Sequence, residues 1–249
     1  MKSKWWWHRA VAVAVILLGT PPALAATRAD KAPRVAKPRA SVSPPILAPD
    51  LAIPDPSPDA LRIRDWVAFA GDNNALPYLI VDKPSATAWL FDARHRPLAR
   101  VPVLLGIAPG DEATPGVGAK KLAEIGPAEK TTPAGRFLAR YGLAAGRQRV
   151  LWVDYTDSVA LHPIPSDANK RERRAARMAS PTAADNRITF GCINVPGRFY
   201  ARRVRPLFTR KGGYVYVIPE ASPLEAVFPG VRTLPYAAAP PATLEASRP

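Results

Sequence analysis

Between Tyr78 and Ile218 the chain is cut into short apolar runs, and that punctuation limits what it can become. The runs at 78–81, 86–91, 97–105, 135–141, 150–155, 159–161 and 214–218 are rich in β-branched and aromatic residues. Turn chemistry separates them, as in Asp82-Lys83-Pro84-Ser85 and Asp92-Ala93-Arg94-His95. Runs of this length between such residues read as strands. The pattern predicts a mainly β fold with short helices, built as a β-sandwich or a mixed sheet. Residues 77–220 are enough for one domain with a full core.

Three stretches carry helical signals. Ser57-Pro58-Asp59 offers a cap, a first-turn proline and a dipole-complementing acid, and Gly71 is the stop. Residues 169–179 are strong helix formers behind Asp167, and their basic character all round predicts exposure, either as a lid over a cleft or as a solvated surface helix. Residues 197–208 place Tyr200, Val204, Leu207 and Phe208 on one apolar stripe, with Pro206 distorting the last turn.

The ends differ from this middle. Lys2, Lys4 and Arg9 precede a short apolar run, and Ala23-Leu24-Ala25 is an A-x-A cleavage signal. Residues 1–25 therefore read as a secretory signal peptide cleaved before Ala26. The alternative is an uncleaved membrane anchor, which Trp5-Trp6-Trp7 favours slightly. Residues 26–58 form a Pro-rich linker, 59–76 a packing helix and connector, and 221–249 a Pro/Ala-rich tail in which Val227, Phe228 and Val231 are the candidates to pack on the domain. Export to the periplasm or cell envelope is the expectation.

That expectation gives weight to the cysteine count. Cys192 is the only cysteine, so no intrachain disulfide can form. A single thiol in an oxidising compartment is a liability unless it is buried or used. Asn194 and Pro196 behind it read as a helix start, whose N-terminal field would favour a thiolate. Gly191 allows a positive φ beside the sulfur. A cysteine nucleophile needs a base. His8 leaves with the signal and His95 reads as a solvated turn residue, which leaves His162 at the end of a strand. One cysteine and two usable histidines do not make a zinc set, and no cofactor is implied.

The formal charge is +15, which suits an anionic envelope polymer or simple solubility. No nucleic-acid motif accompanies it, and contact with a membrane is expected only through an uncleaved signal.

Papain-like enzymes run Cys before His, and sortases carry a Thr-Leu-x-Thr-Cys strand that is absent here. His162, Thr189, Gly191, Cys192 and Asn194 together resemble the L,D-transpeptidase catalytic domain, or YkuD domain, whose motif is a strand-end histidine followed by Ser/Thr-His-Gly-Cys-x-Asn/Arg. Thr132-Pro133-Ala134-Gly135-Arg136-Phe137 resembles the family's Thr-Pro-x-Gly-x-Phe segment. Phe190 stands where the family has a histidine, and the gap between His162 and Cys192 is longer than usual.

The resemblance implies a YkuD-like fold and a peptidoglycan L,D-transpeptidase. Cys192 is then the nucleophile and His162 the base, acting on a tetrapeptide stem with loss of D-Ala and transfer to an amine. It implies that Gly191, Thr189, Phe190 and Asn194 shape the site or its oxyanion pocket, and it makes Arg171, Arg174 and Arg187 candidates for substrate binding. The implied partners are peptidoglycan stem peptides and an envelope lipoprotein. Three alternatives stay open: a hydrolytic relative (L,D-carboxypeptidase or amidase), a non-catalytic peptidoglycan-binding module, and an unrelated thiol enzyme. A redox role lacks its resolving thiol.

Overall fold

The computed structural model describes residues 53–144 and 148–233. The expected signal peptide, most of the expected Pro-rich linker and the last part of the expected tail lie outside the described residues.

Ser57 opens the first helix, α1 (Pro58–Ala70), by accepting from the Ala60 N–H, and Gly71 closes it in the left-handed region. Asp82 receives the Ser57 N–H and hydroxyl at 2.7 and 2.9 Å, so this cap is also the joint between α1 and the sheet. Ala60, Ile63, Trp66 and Val67 form the buried face of α1.

The strands are β1 (Tyr78–Asp82), β2 (Thr87–Phe91), β3 (Pro97–Pro102), β4 (Leu105–Gly106), β5 (Gly135–Leu143), β6 (Arg149–Asp154), β7 (Val159–Pro163), β8 (Arg187–Thr189), β9 (Ile193–Val195) and β10 (Gly213–Ile218). Eight make one mixed sheet in the order β3-β2-β1-β10-β5-β6-β7-β9, and β4 pairs with β8 in a small second sheet. The expected mainly β architecture is the observed one.

Strands β1 and β10 run parallel at its centre and are buried along their whole length. This explains their continuous apolar sequence, which a strand covered on both faces requires. Leu79, Val81, Val215 and Val217 face one core with Phe199, Val204 and Phe208. Tyr78, Ile80, Tyr216 and Ile218 face the other, with α1. Leu224, Phe228 and Val231 complete that second core, so the start of the expected tail, residues 224–231, packs on the sheet. Among the described residues no helix is long and apolar enough to cross a membrane.

Four expectations change. Residues 97–105 are not one strand: after Pro102 the chain leaves the sheet, Leu104 bridges Asn194, and Leu105 pairs with Arg187. Residues 169–179 are not one helix: a 3-10 turn (Lys170–Glu172) is separated from α2 (Arg174–Met178) by Arg173 at φ 50°. Nor is that segment solvated all round, because Met178 is buried. His95 is not simply solvated: its ring lies 5.8 Å from that of Tyr78. The stretch 197–208 is helical throughout, as α3 (Gly197–Phe199), a π-helical turn (Tyr200–Val204) and α4 (Arg205–Phe208). Pro206 has no N–H to give the preceding turn, and the wider hydrogen bonding falls just before it.

A buried ion pair fastens the end of β1. Lys83 is fully buried, and its ammonium donates to Gly110 O (2.6 Å), Asp111 Oδ1 (2.7 Å) and Thr132 O (3.0 Å). Three acceptors match the three N–H bonds of a charged amine. Burial pulls the Lys83 pKa down, against Asp111 and Glu220. Burial alone would raise Asp111, but the Lys83 ammonium and the backbone N–H groups of Glu220, Ser222 and Ala221 hold it well below the usual carboxylate range. We take the pair as charged, because the geometry supplies donors only to an ionised Asp111.

Asp111→Ala should cost about 3–5 kcal/mol in urea denaturation, since it strands a buried ammonium, while replacing both partners by apolar residues should cost less. The native pKa of Asp111 is depressed, so its contribution is present above the unfolded value. Wild-type stability should fall as the pH drops below about 4, and the Asp111 share of that fall should vanish in the variant.

Candidate active site

The parallel pairing of β7 with β9 builds the site. His162 lies opposite Asn194, Leu161 opposite Ile193 and Pro163 opposite Val195. Side chains alternate along each strand. Leu161, Ile193 and Val195 point into the core, which places His162, Asn194 and, two residues before it, Cys192 on the other face. On its outer side β9 is bridged to Leu104, with the Asn194 N–H and C=O both paired at 2.9 Å.

Cys192 therefore leads into a strand. The expected helix start is one turn further on, because backbone pairing on both sides claims 193–195 and Pro196 only then releases the chain into α3. The helix field expected to favour a thiolate is absent from the sulfur. Cys192 is only partly exposed, and burial pushes its thiol pKa up, against smaller downward pulls from the Ala160 backbone N–H and the Arg174 charge. The sulfur contacts Ser158 O at 3.8 Å.

His162 is held differently. Its Nδ1 lies 2.7 Å from its neighbour Pro163 O. A carbonyl only accepts, so Nδ1 carries the hydrogen and Nε2 is the free base of the neutral ring. Burial lowers the His162 pKa, the Pro163 carbonyl raises it, and Arg174 lowers it. The pair rests as thiol and neutral imidazole. No direct hydrogen bond joins them: the thiol leans toward Ser158.

The loop before Cys192 is fixed by two hydroxyls. Thr189 Oγ1 donates to Cys192 O at 2.6 Å and accepts from the Gly191 N–H at 3.2 Å. Thr132 Oγ1 donates to Gly191 O and accepts from the Gly106 N–H, both at 2.9 Å. Gly191 sits at φ +119°, and a Cβ there would stand 2.7 Å from Thr131 O. Phe190 is half exposed, with the Lys130 ammonium 3.6 Å from its ring centroid.

The three arginines part company. Arg174 reaches the site: its Nη1 donates to Asn194 Oδ1 at 2.9 Å and its Nε to Glu172 at 2.6 Å. Arg187 is committed to Glu220 and to Gly106 O. Arg171 is exposed and lines a cavity of 270 Å³ with Arg173 and Arg177. Sequence reasoning missed Lys83, because a lysine in a turn reads as solvated. It also missed Pro163 O as the group that orients the imidazole, since a backbone acceptor leaves no residue-type signal. Among the described residues no three His, Cys, Asp or Glu side chains gather as a metal site needs.

No protein-family model matches the chain, and no curated protein matches it. Among solved structures it is similar to the L,D-transpeptidase (residues 123-326) from Xylanimonas cellulosilytica, at 14% identity and a TM-score of 0.35. The likeness covers 57% of this chain and 60% of that one.

Iodoacetamide should label Cys192 more slowly than a free thiol at neutral pH, because a raised pKa leaves less thiolate. The rate should climb with pH through a midpoint above the ordinary thiol value, and urea should remove the delay; faster labelling in the native protein would contradict the buried thiol. Gly191→Ala should destabilise the fold by roughly 1–3 kcal/mol in the same urea assay, from backbone strain and the contact with Thr131 O.

Proposed function

We propose that the chain is an exported cysteine acyltransferase of the L,D-transpeptidase kind, acting on peptidoglycan stem peptides in the cell envelope. The observation that carries this reading is the sheet face shared by Cys192, Asn194 and His162, with the imidazole tautomer set by Pro163 O. The resemblance of the Gly191-Cys192-Ile193-Asn194 and Thr132-Pro133-Ala134-Gly135 segments to that family supplies the substrate class.

The resting pair is neutral, so the proton must move as attack proceeds. His162 Nε2 takes the thiol proton while Sγ bonds to the carbonyl carbon of the residue before the terminal D-Ala. The Gly191 N–H is already given to Thr189, which leaves the Cys192 backbone N–H to meet the developing oxyanion. The carbon–nitrogen bond then breaks, and the imidazolium returns its proton to the departing D-Ala amine. An acceptor amine, on a second stem or on an envelope lipoprotein, attacks the thioester and restores the thiol. Water in place of the amine gives the hydrolytic relative. Phe190, two residues before Cys192 and with its ring against the Lys130 ammonium, stands where the family has a histidine, and on this reading an apolar side chain there favours transfer over hydrolysis.

A second reading has its own observation. The thiol bonds Ser158 O rather than the imidazole, as expected of a peptidoglycan-binding module that has lost its chemistry.

Purified tetrapeptide muropeptides, incubated with the mature protein and weighed by mass spectrometry, separate these readings. Two stems joined with loss of one D-Ala mean transfer, and loss of D-Ala alone means hydrolysis. Cys192→Ala should abolish either, and His162→Ala should slow acylation by roughly 10²–10⁴-fold. The acid limb of the rate should fall below the ordinary histidine value of about 6.5, because burial keeps His162 neutral. No product and no acyl adduct on Cys192 would leave the binding module.

A further inference from the structure

Two donors beside the site are left unused by the fold, one on β9 and one on the 164–186 segment. Arg174 only donates, so the Asn194 atom facing its Nη1 must be the carbonyl oxygen, which assigns the other end of that amide as Nδ2. Asn194 is fully buried, and its Nδ2 has no acceptor among the described residues. A buried donor without a partner costs about 1–3 kcal/mol, which the fold has no packing reason to accept. Arg174 is itself largely buried, with its side chain 12% exposed. Its Nε and Nη1 are engaged, and its Nη2 has no partner among the described residues.

The space beside these donors has a matching character. A cavity of 390 Å³ starts two residues past His162, walled by Ile164, Pro165 and Ala175, with Lys170, Arg173 and Arg174 at its lining. Apolar walls with cations suit a small aliphatic group that ends in an anion. Arg174, whose Nη2 has no partner among the described residues, lines this cavity, and a planar guanidinium is the donor that pairs best with a carboxylate. Glu172 is the one acid salt-bridged to Arg174.

We infer that Arg174, held in place by the Asn194 side-chain oxygen, forms a carboxylate subsite that reads the free C-terminus of the donor peptide and seats its last residue in the adjoining cavity. The inference rests on the proposed reading of Cys192 and His162 as a peptide acyl centre. Arg174 then contacts substrate, and the 164–186 segment works as a specificity element. Asn194 positions the Arg174 guanidinium through Oδ1 and does not itself line the cavity.

The test uses the full mature chain carrying Cys192→Ala, which binds without turnover. It is titrated with a tetrapeptide muropeptide ending in a free carboxylate and with the same muropeptide ending in a carboxamide. The carboxylate form should bind roughly tenfold or more tightly, as a charge-assisted pair does. Adding Arg174→Ala should erase that preference, and Arg174→Lys should keep part of it. A merely structural Arg174 would weaken both ligands alike, so the ratio is the readout, and urea denaturation of each variant confirms folding. Equal binding of the two ligands, binding of neither, or a preference that survives Arg174→Ala overturns the subsite. Wild-type protein that forms no acyl-enzyme while the binding preference holds would overturn the acyl-transfer reading alone.

Discussion

The buried ammonium of Lys83 orders more of this molecule than any other single group. It ends β1, grips Gly110 O and Thr132 O, and pairs with Asp111. Asp111 in turn accepts the backbone N–H groups of Glu220, Ala221 and Ser222 as the chain leaves β10. Glu220 then holds Arg187 at the start of β8. Charges taken out of water demand this many partners, so the segments that supply them cannot drift independently. Thr132, pinned through its carbonyl, offers its hydroxyl to Gly191 O. The backbone beside Cys192 thus hangs from a charge on the far side of the β4–β5 connection.

Around Cys192 and His162 the surroundings oppose charge on both side chains. Burial keeps the thiol protonated and the imidazole neutral. Arg174 pulls both pKa values down, favouring the thiolate and the free base. Because it arrives on the 164–186 segment, the position of that segment and the ionisation of the pair are linked. An activated thiolate at rest would be open to oxidation in the compartment the sequence implies; a protonated one is protected.

Much of the frame was legible in residue order. Ser57 reads as a cap and is one, and Gly71 reads as a stop and is one. The runs at 78–81 and 214–218 read as strands, and their lack of alternation is the mark of burial on both faces. The 169–179 segment was misread as one helix because its arginines are good helix formers. Propensity could not see that Arg174 is anchored by Asn194 or that Met178 is buried, and these contacts set where the turn at Arg173 falls.

By itself the sequence determined β1, β2, β5, β6, β7 and β10, the helical stretches at 58–70 and 197–208, and the Cys192 and His162 candidates, because local propensity and turn chemistry act within a few residues. It also put a glycine where only φ +119° fits. Tertiary structure decided the rest. Whether 193–195 became strand or helix depended on partners about 30 and about 90 positions away, Leu161 and Leu104. Whether Cys192 was a ready thiolate or a buried thiol depended on what packs around the sulfur, and no residue name records that. Lys83 looks like any turn lysine until the fold surrounds it with oxygen atoms, because desolvation is a property of the assembled neighbourhood and not of the side chain.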